Sequence, residues 1–136
     1  MRVILKMKFI TKGSVGMTIN KENVYIPAYI PRDILKGIAK EVIYINNYEK
    51  YKLYTINMLV SDIITEWCNN PILYEVENIK KITDKKKKIG ITLKVETFHK
   101  LIKLYTSNYA GEISYRNDLI LHILIEYLKK RASDSL

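Results

Sequence analysis

The segment IGITLKV, residues 89–95, restricts this fold more than any other stretch of the chain. Ile89, Ile91, Leu93 and Val95 alternate with Gly90, Thr92 and Lys94, the pattern of a strand with one buried face. Four lysines precede it and a helical pattern follows from Glu96, so no partner strand lies beside it in sequence. A strand left alone has unpaired main-chain donors and acceptors along both edges. This one must reach a distant segment, and its polar side must face something.

A second extended segment, VYIPAYI (24–30), alternates Val24, Ile26, Ala28 and Ile30 with Tyr25, Pro27 and Tyr29. Pro27 confines it to a sheet edge or a two-stranded ribbon, because proline supplies no ladder donor. Two helical patterns follow each extended segment. After the first, Pro31 suits the first helical position and Asp33 the positive helix start. Ile34, Leu35, Ile38, Ala39 and Val42 then form an apolar stripe. Gly37 costs that helix about 1 kcal/mol relative to alanine, so it needs tertiary support. NNYEKYK breaks the pattern.

Thr55 is the expected N-cap of the next helix, which runs to Cys68 with Ile56, Leu59, Val60, Ile63, Ile64 and Trp67 on one face. NNP stops it. In the second half, Phe98, Leu101, Ile102 and Tyr105 predict a helix, and SNYAGE a break. A last helix from Ser114 carries Leu119, Ile120, Ile123, Leu124, Tyr127 and Leu128, with a basic KKR at its negative end. Leu121 and Ile125 give it a second apolar flank, for an internal seal or a contact between chains. Around Leu73 to Ile82 a short strand and a short helix both remain open.

The formal charge is +9, from 23 Lys plus Arg against 14 Asp plus Glu. Such an excess favours a polyanionic partner, nucleic acid or an anionic membrane surface. No apolar stretch approaches the ~20 residues of a membrane span. The start, MRVILKMKFITKG, carries charges inside its apolar part and does not read as a signal peptide. Cys68 is the only cysteine, which excludes an intrachain disulfide and a Cys-rich metal site. It reads as a small buried apolar residue.

The order strand, helix, break, helix occurs twice. Moved by sixty residues, Leu59, Val60, Ile63 and Ile64 fall on Leu119, Ile120, Ile123 and Leu124, and Trp67 on Tyr127. Asn57 falls on Asn117. The strands match at a slightly different shift, with Ile26, Ala28 and Ile30 on Ile91, Leu93 and Val95. The pattern points to an internal duplication.

ITLKVETFHKLIKLYTSNYAGEISYRNDLILHILIEYLKKR resembles a ribbon-helix-helix DNA-binding domain of the Arc/MetJ/CopG type. IPAYIPRDILKGIAKEV with YTINMLVSDIITEW resembles a second, more divergent copy. Tandem copies in one small basic chain look like transcription regulators of filamentous viruses that infect archaea. The resemblance implies a mainly α fold with a short β ribbon, two units pairing as an intrachain pseudo-dimer. Unit 1 spans 23–70, a basic connector 71–87 and unit 2 88–132, with an N-terminal extended segment or hairpin over 1–22. It also implies that strands 24–30 and 89–95 pair antiparallel and enter the DNA major groove. The implied protein is a sequence-specific regulator of double-stranded DNA, cytoplasmic in its host, able to form homo-oligomers on DNA. No membrane, small-molecule substrate or cofactor is expected.

On that reading Gly90, Thr92 and Lys94 face base edges, with Gly90 letting the backbone come close. Thr92 donates, accepts or meets a thymine methyl, and Lys94 donates to guanine O6 and N7. Tyr25 and Tyr29 form the matching face of the first strand, an unusual pair for a family that reads with Arg, Lys, Asn, Gln and Thr. The resemblance places phosphate contacts at the start of each second helix, where unpaired N–H groups and partial positive charge gather. Those positions are Thr55, Ile56 and Asn57, and Ser114, Tyr115, Arg116 and Asn117; ordinary N-capping by Thr55 and Ser114 is the plainer role. Lys85, Lys86, Lys87 and Lys88 either solvate a linker or follow the DNA backbone.

Catalytic chemistry is thin. His99 and His122 lie on different helices, His122 reading as a core-edge or surface histidine, and no phosphate loop, Ser-His-Asp set or paired acidic motif appears. No enzyme is predicted. The rivals are a DNA-coating architectural protein and an antitoxin-like interaction module.

Overall fold

In the computed structural model, which describes residues 18–19, 22–48, 53–79 and 86–134, the two extended segments lie side by side. β1 (Thr18–Ile19) is a two-residue stub that pairs with Val24 and Tyr25 at one end of β2 (Asn23–Pro31). β2 and β3 (Lys86–Lys94) run antiparallel over their whole lengths, with Pro27 opposite Gly90 at the middle. Their inward faces bury Val24, Ile26, Ala28, Ile30, Ile91 and Leu93 to 1% exposure or less. Each large aliphatic side chain so buried stabilises the fold by about 1.5–3 kcal/mol.

Pro27 and Pro31 have the same parity, and the ladder with β3 is unbroken across both. Their missing donors therefore fall on the outer edge of β2, where no long strand needs them. Arg116 Nε donates to the Pro27 carbonyl at 3.1 Å and covers part of that edge.

The rest is mainly helical. α1 (Arg32–Tyr48) leaves the ribbon at the Pro31 end, and α3 (Val95–Asn108) leaves it at the Lys94 end. α2 (Ile56–Asn69) packs on β3, while a π-helical turn over Tyr115–Leu119 packs on β2 and leads into α4 (Ile120–Asp134). α2 and α4 pack on each other between the flanks. The π turn has a simple cause. Ser114 precedes Leu119 by five residues, whereas Thr55 precedes Leu59 by four. Leu59 N donates to Thr55 O at 3.0 Å, and Leu119 N to Ser114 O at 2.9 Å, so the wider turn absorbs the extra residue. Leu59 and Leu119 then both enter the core, 5% and 0% exposed.

Gly37 receives the support its helix needs. A Cβ there would lie 2.9 Å from Leu128 Cδ1, so the glycine lets α4 approach α1 closely. Glu41 on α1 also takes Arg131 Nε at 2.8 Å and the Tyr127 hydroxyl at 3.3 Å. On the other flank Lys100 Nζ donates to Asn69 Oδ1 at 2.8 Å. The strap after α2 is pinned there. The Tyr109 hydroxyl accepts from Tyr74 N at 2.7 Å and donates to Tyr74 O at 3.0 Å, and Trp67 Nε1 donates to Ile72 O at 3.1 Å. A 3-10 turn over Val76–Asn78 follows. Cys68 and Leu121 are buried at 5% and 1%, so Leu121 serves the interior. Burial pushes the Cys68 thiol up to about 11 and keeps it protonated.

Several boundaries differ from those read in the sequence. β3 begins at Lys86 instead of Ile89, because Tyr29, Ile30 and Pro31 extend the partner strand opposite Lys88, Lys87 and Lys86. Pro31 closes β2, and Arg32 opens α1. α1 continues through the polar NNY. There Asn46 clasps the Tyr54 backbone, with Nδ2 donating to O at 3.1 Å and Oδ1 accepting from N at 2.9 Å. Place for place along the two strands, Ile26, Ala28 and Ile30 match Ile89, Ile91 and Leu93. The sequence alignment was two residues off, a slip that keeps every side chain on its face and is invisible to alternation. Most of the N-terminal segment expected over 1–22 lies outside the described residues. So does Lys85.

Candidate nucleic-acid interface

The outer face of the ribbon is built by parity. Asn23, Tyr25, Pro27, Tyr29 and Pro31 stand on it from β2, opposite Lys94, Thr92, Gly90, Lys88 and Lys86 from β3. Thr92, Lys94 and Lys88 are exposed, and Tyr25 and Tyr29 are 39% and 43% exposed. Five of the residues singled out for base reading are thus brought onto one surface, Gly90 included. Lys88 joins them and leaves the linker role.

Gly90 also has a packing use that alternation does not show. The Tyr25 ring lies diagonally over it, and a Cβ at position 90 would overlap the tip of that ring. The missing side chain makes room for Tyr25. Pro27 beside it is buried.

Flanking the ribbon at the start of α2 is a cleft of about 520 Å³. Arg32 and Lys36 reach it from α1, Lys87 and Lys88 from β3, and Ile56 and Asn57 from the first turn of α2. No carboxylate is among the lining residues. Thr55 Oγ1 accepts from Met58 N at 3.1 Å and caps the helix behind Asn57, which is exposed. Four cations, a polar amide and a helix start converge there, an arrangement that attracts an anion.

The corresponding corner at the start of α4 is occupied. Ser114 Oγ accepts from Asn117 N at 3.2 Å and Asp118 N at 3.3 Å, and the Asp118 carboxylate accepts from Ser114 N at 3.0 Å. The Asn117 N–H is therefore already used. Tyr115 packs against Tyr105 and Phe98, with ring centroids 5.7 and 6.4 Å away, and burial raises its phenol above the ordinary range. Arg116 is half-buried with its Nε on the Pro27 carbonyl. Ser114, Tyr115, Arg116 and Asn117 come together, but as a packed cap. Capping by Thr55 and Ser114 is present at both helix starts.

Arg32 and Lys36 escaped sequence reasoning. They stand four apart on α1, just off its apolar stripe, and that spacing places them on one side of the first turns. Attention to the buried stripe alone hides them. His122 is buried, with Tyr74 edge-on at 4.4 Å and Glu126 Oε2 3.8 Å from Nε2; burial holds its pKa below 6.5. No helix among the described residues is long and apolar enough to cross a membrane. Comparison with family models, curated proteins and solved structures finds no match.

Proposed function

We propose that this chain is a tandem ribbon-helix-helix protein that binds double-stranded DNA selectively and regulates transcription by occupying promoter DNA. Its two units interlock as an intrachain pseudo-dimer about the Pro27–Gly90 rung. Corresponding elements meet on the two flanks and support this: α1 meets α4 at Gly37 and Leu128, and α3 meets α2 at Lys100 and Asn69.

The observation that carries the proposal is the ribbon's outer face. Two strands from distant parts of the chain pair along their length with apolar residues sealed beneath and Lys88, Thr92 and Lys94 exposed above. A B-DNA major groove, roughly 12 Å wide, admits such a ribbon. In the complex Lys94 and Lys88 donate to guanine O6 and N7. Thr92 meets a base edge or thymine methyl, and Tyr29 offers an apolar surface. The cleft of Arg32, Lys36, Lys87 and Asn57 takes a backbone phosphate and fixes register without reading sequence.

The test is a footprint and gel shift on DNA around the protein's own coding region, repeated with Thr92→Ala and Lys94→Ala. Selective protection that these changes abolish is the expected result; unchanged protection refutes base reading by this face. A second reading, DNA coating without sequence preference, is favoured by the β2 half, whose tyrosines and prolines offer few hydrogen-bonding groups. A specific-to-nonspecific affinity ratio below ~10 identifies coating.

A further inference from the structure

Large apolar residues remain exposed on two flanks of this molecule. Ile43, Tyr44 and Tyr48, on the second half of α1, are 61%, 50% and 73% exposed. Ile72 and Leu73, on the strap after α2, are 72% and 52% exposed. The flanks are made of corresponding pieces. On the first, the end of α4 lies against α1 through Arg131, whose guanidinium sits 5.9 Å from the Tyr44 ring centroid and bonds Glu41. On the second, the strap after α2 lies against the end of α3 through the Tyr109 hydroxyl. α1 and α3 leave opposite ends of the ribbon, so the two flanks face away from each other.

Their charges are opposite. The strap flank holds a cleft of about 430 Å³ whose lining includes Leu73, Glu75, Glu77, Asn108 and Glu112, and no lysine or arginine. That is a concentration of negative charge in a chain of net +9. The α1 flank sets exposed Lys40 one helical turn before Tyr44, on the face that Tyr48 shares, and Arg131 over the Tyr44 ring. Apolar surface on both flanks supplies a driving force for contact, and opposite charge selects which surface meets which.

We propose that the occupant of the acidic flank is a second copy of this chain, which seats its Lys40, Tyr44 and Tyr48 against Leu73, Glu75 and Glu77. The surfaces differ, so the contact is heterologous and leaves a free face at each end. Copies then add head to tail. The contact needs no DNA and does not rest on the ribbon's role.

Sedimentation of the full chain without DNA tests this. Growth beyond a dimer with rising concentration is expected, weakened by salt. Glu75→Lys with Glu77→Lys, and separately Tyr48→Ala with Lys40→Gln, each lower the association constant at least ~10-fold. All four positions are exposed. Circular dichroism confirms that the variants fold, and a gel shift on a duplex short enough for one copy scores the ribbon's role separately. Mixed together, the two variants retain one intact interface, so assembly stops at a dimer. A chain that stays monomeric to its solubility limit, variants that associate like the parent, or a mixture that keeps growing overturns the proposal.

Discussion

At one end of the ribbon the first turn of α2 opens onto Arg32, Lys36, Lys87 and Lys88; at the other, the turn before α4 is closed by Tyr115 and Arg116. The backbone pieces correspond, and the side chains diverge. Asn57 is exposed in its cleft, whereas Asn117 is half-buried and its Oδ1 has no partner among the described residues. α2 has no acidic residue in its first turn, and the turn before α4 carries Asp118, which repels an incoming phosphate. One layout thus yields an open cationic site and a packed corner. A protein assembled from two identical chains cannot make that distinction, because each change appears at both ends.

The asymmetry can be broken most forcefully on the ribbon. Thr92→Ala with Lys94→Ala is expected to remove about 2–4 kcal/mol of specific binding, measured by titration against a defined operator. Tyr25→Ala with Tyr29→Ala removes less than about 1 kcal/mol, since neither ring makes a bidentate contact to a base. Equal losses from the two strands would mean that both halves read DNA alike.

Next come the two corners. Arg32→Gln with Lys36→Gln is expected to weaken binding to every sequence and to lower the slope of log affinity against log salt by about 1. Arg116→Gln leaves that slope unchanged and instead lowers folding stability by about 1 kcal/mol, because the Pro27 carbonyl loses its donor. The caps sharpen the contrast at a similar scale. Ser114→Ala is expected to cost about 1–2 kcal/mol in chemical denaturation, and Thr55→Ala about 0.5–1. Ser114 serves two N–H groups and Thr55 Oγ1 one.

The smallest effect separates His122 from its counterpart Asp62, which is exposed. Burial lowers the His122 pKa from 6.5, so the folded state favours neutral imidazole. Its contribution to stability is complete above pH 6.5 and is lost as pH falls through the lowered value. The melting temperature is expected to fall on acidification from about pH 7 to about 5, and His122→Phe flattens that part of the profile.

Alternation and helical spacing were enough to place both ribbon strands, both second-helix caps and nearly all of the buried stripe. Those features depend on periods of two and of three to four residues, which survive in the chain order. Lys88 shows where such reading stops. As part of a lysine run it looked like linker; opposite Tyr29 it is a strand residue on the outer face, and only the partner strand decides that. Gly90 is a second case, since the ring that fills its place comes from Tyr25 across the ladder.

By itself, then, the amino-acid order determined the two ribbon strands, the helices that follow each, the face most of their residues take and the excess of positive charge. Tertiary structure alone decided which strand end meets which helix start. The cleft joins Arg32, Asn57 and Lys87, and the closed corner joins Arg116 to Pro27. Local patterns carry no information about contacts across so long a stretch of chain. Those are fixed by burying both strands beneath both helix pairs at once, the condition that seals the apolar faces of the two halves together.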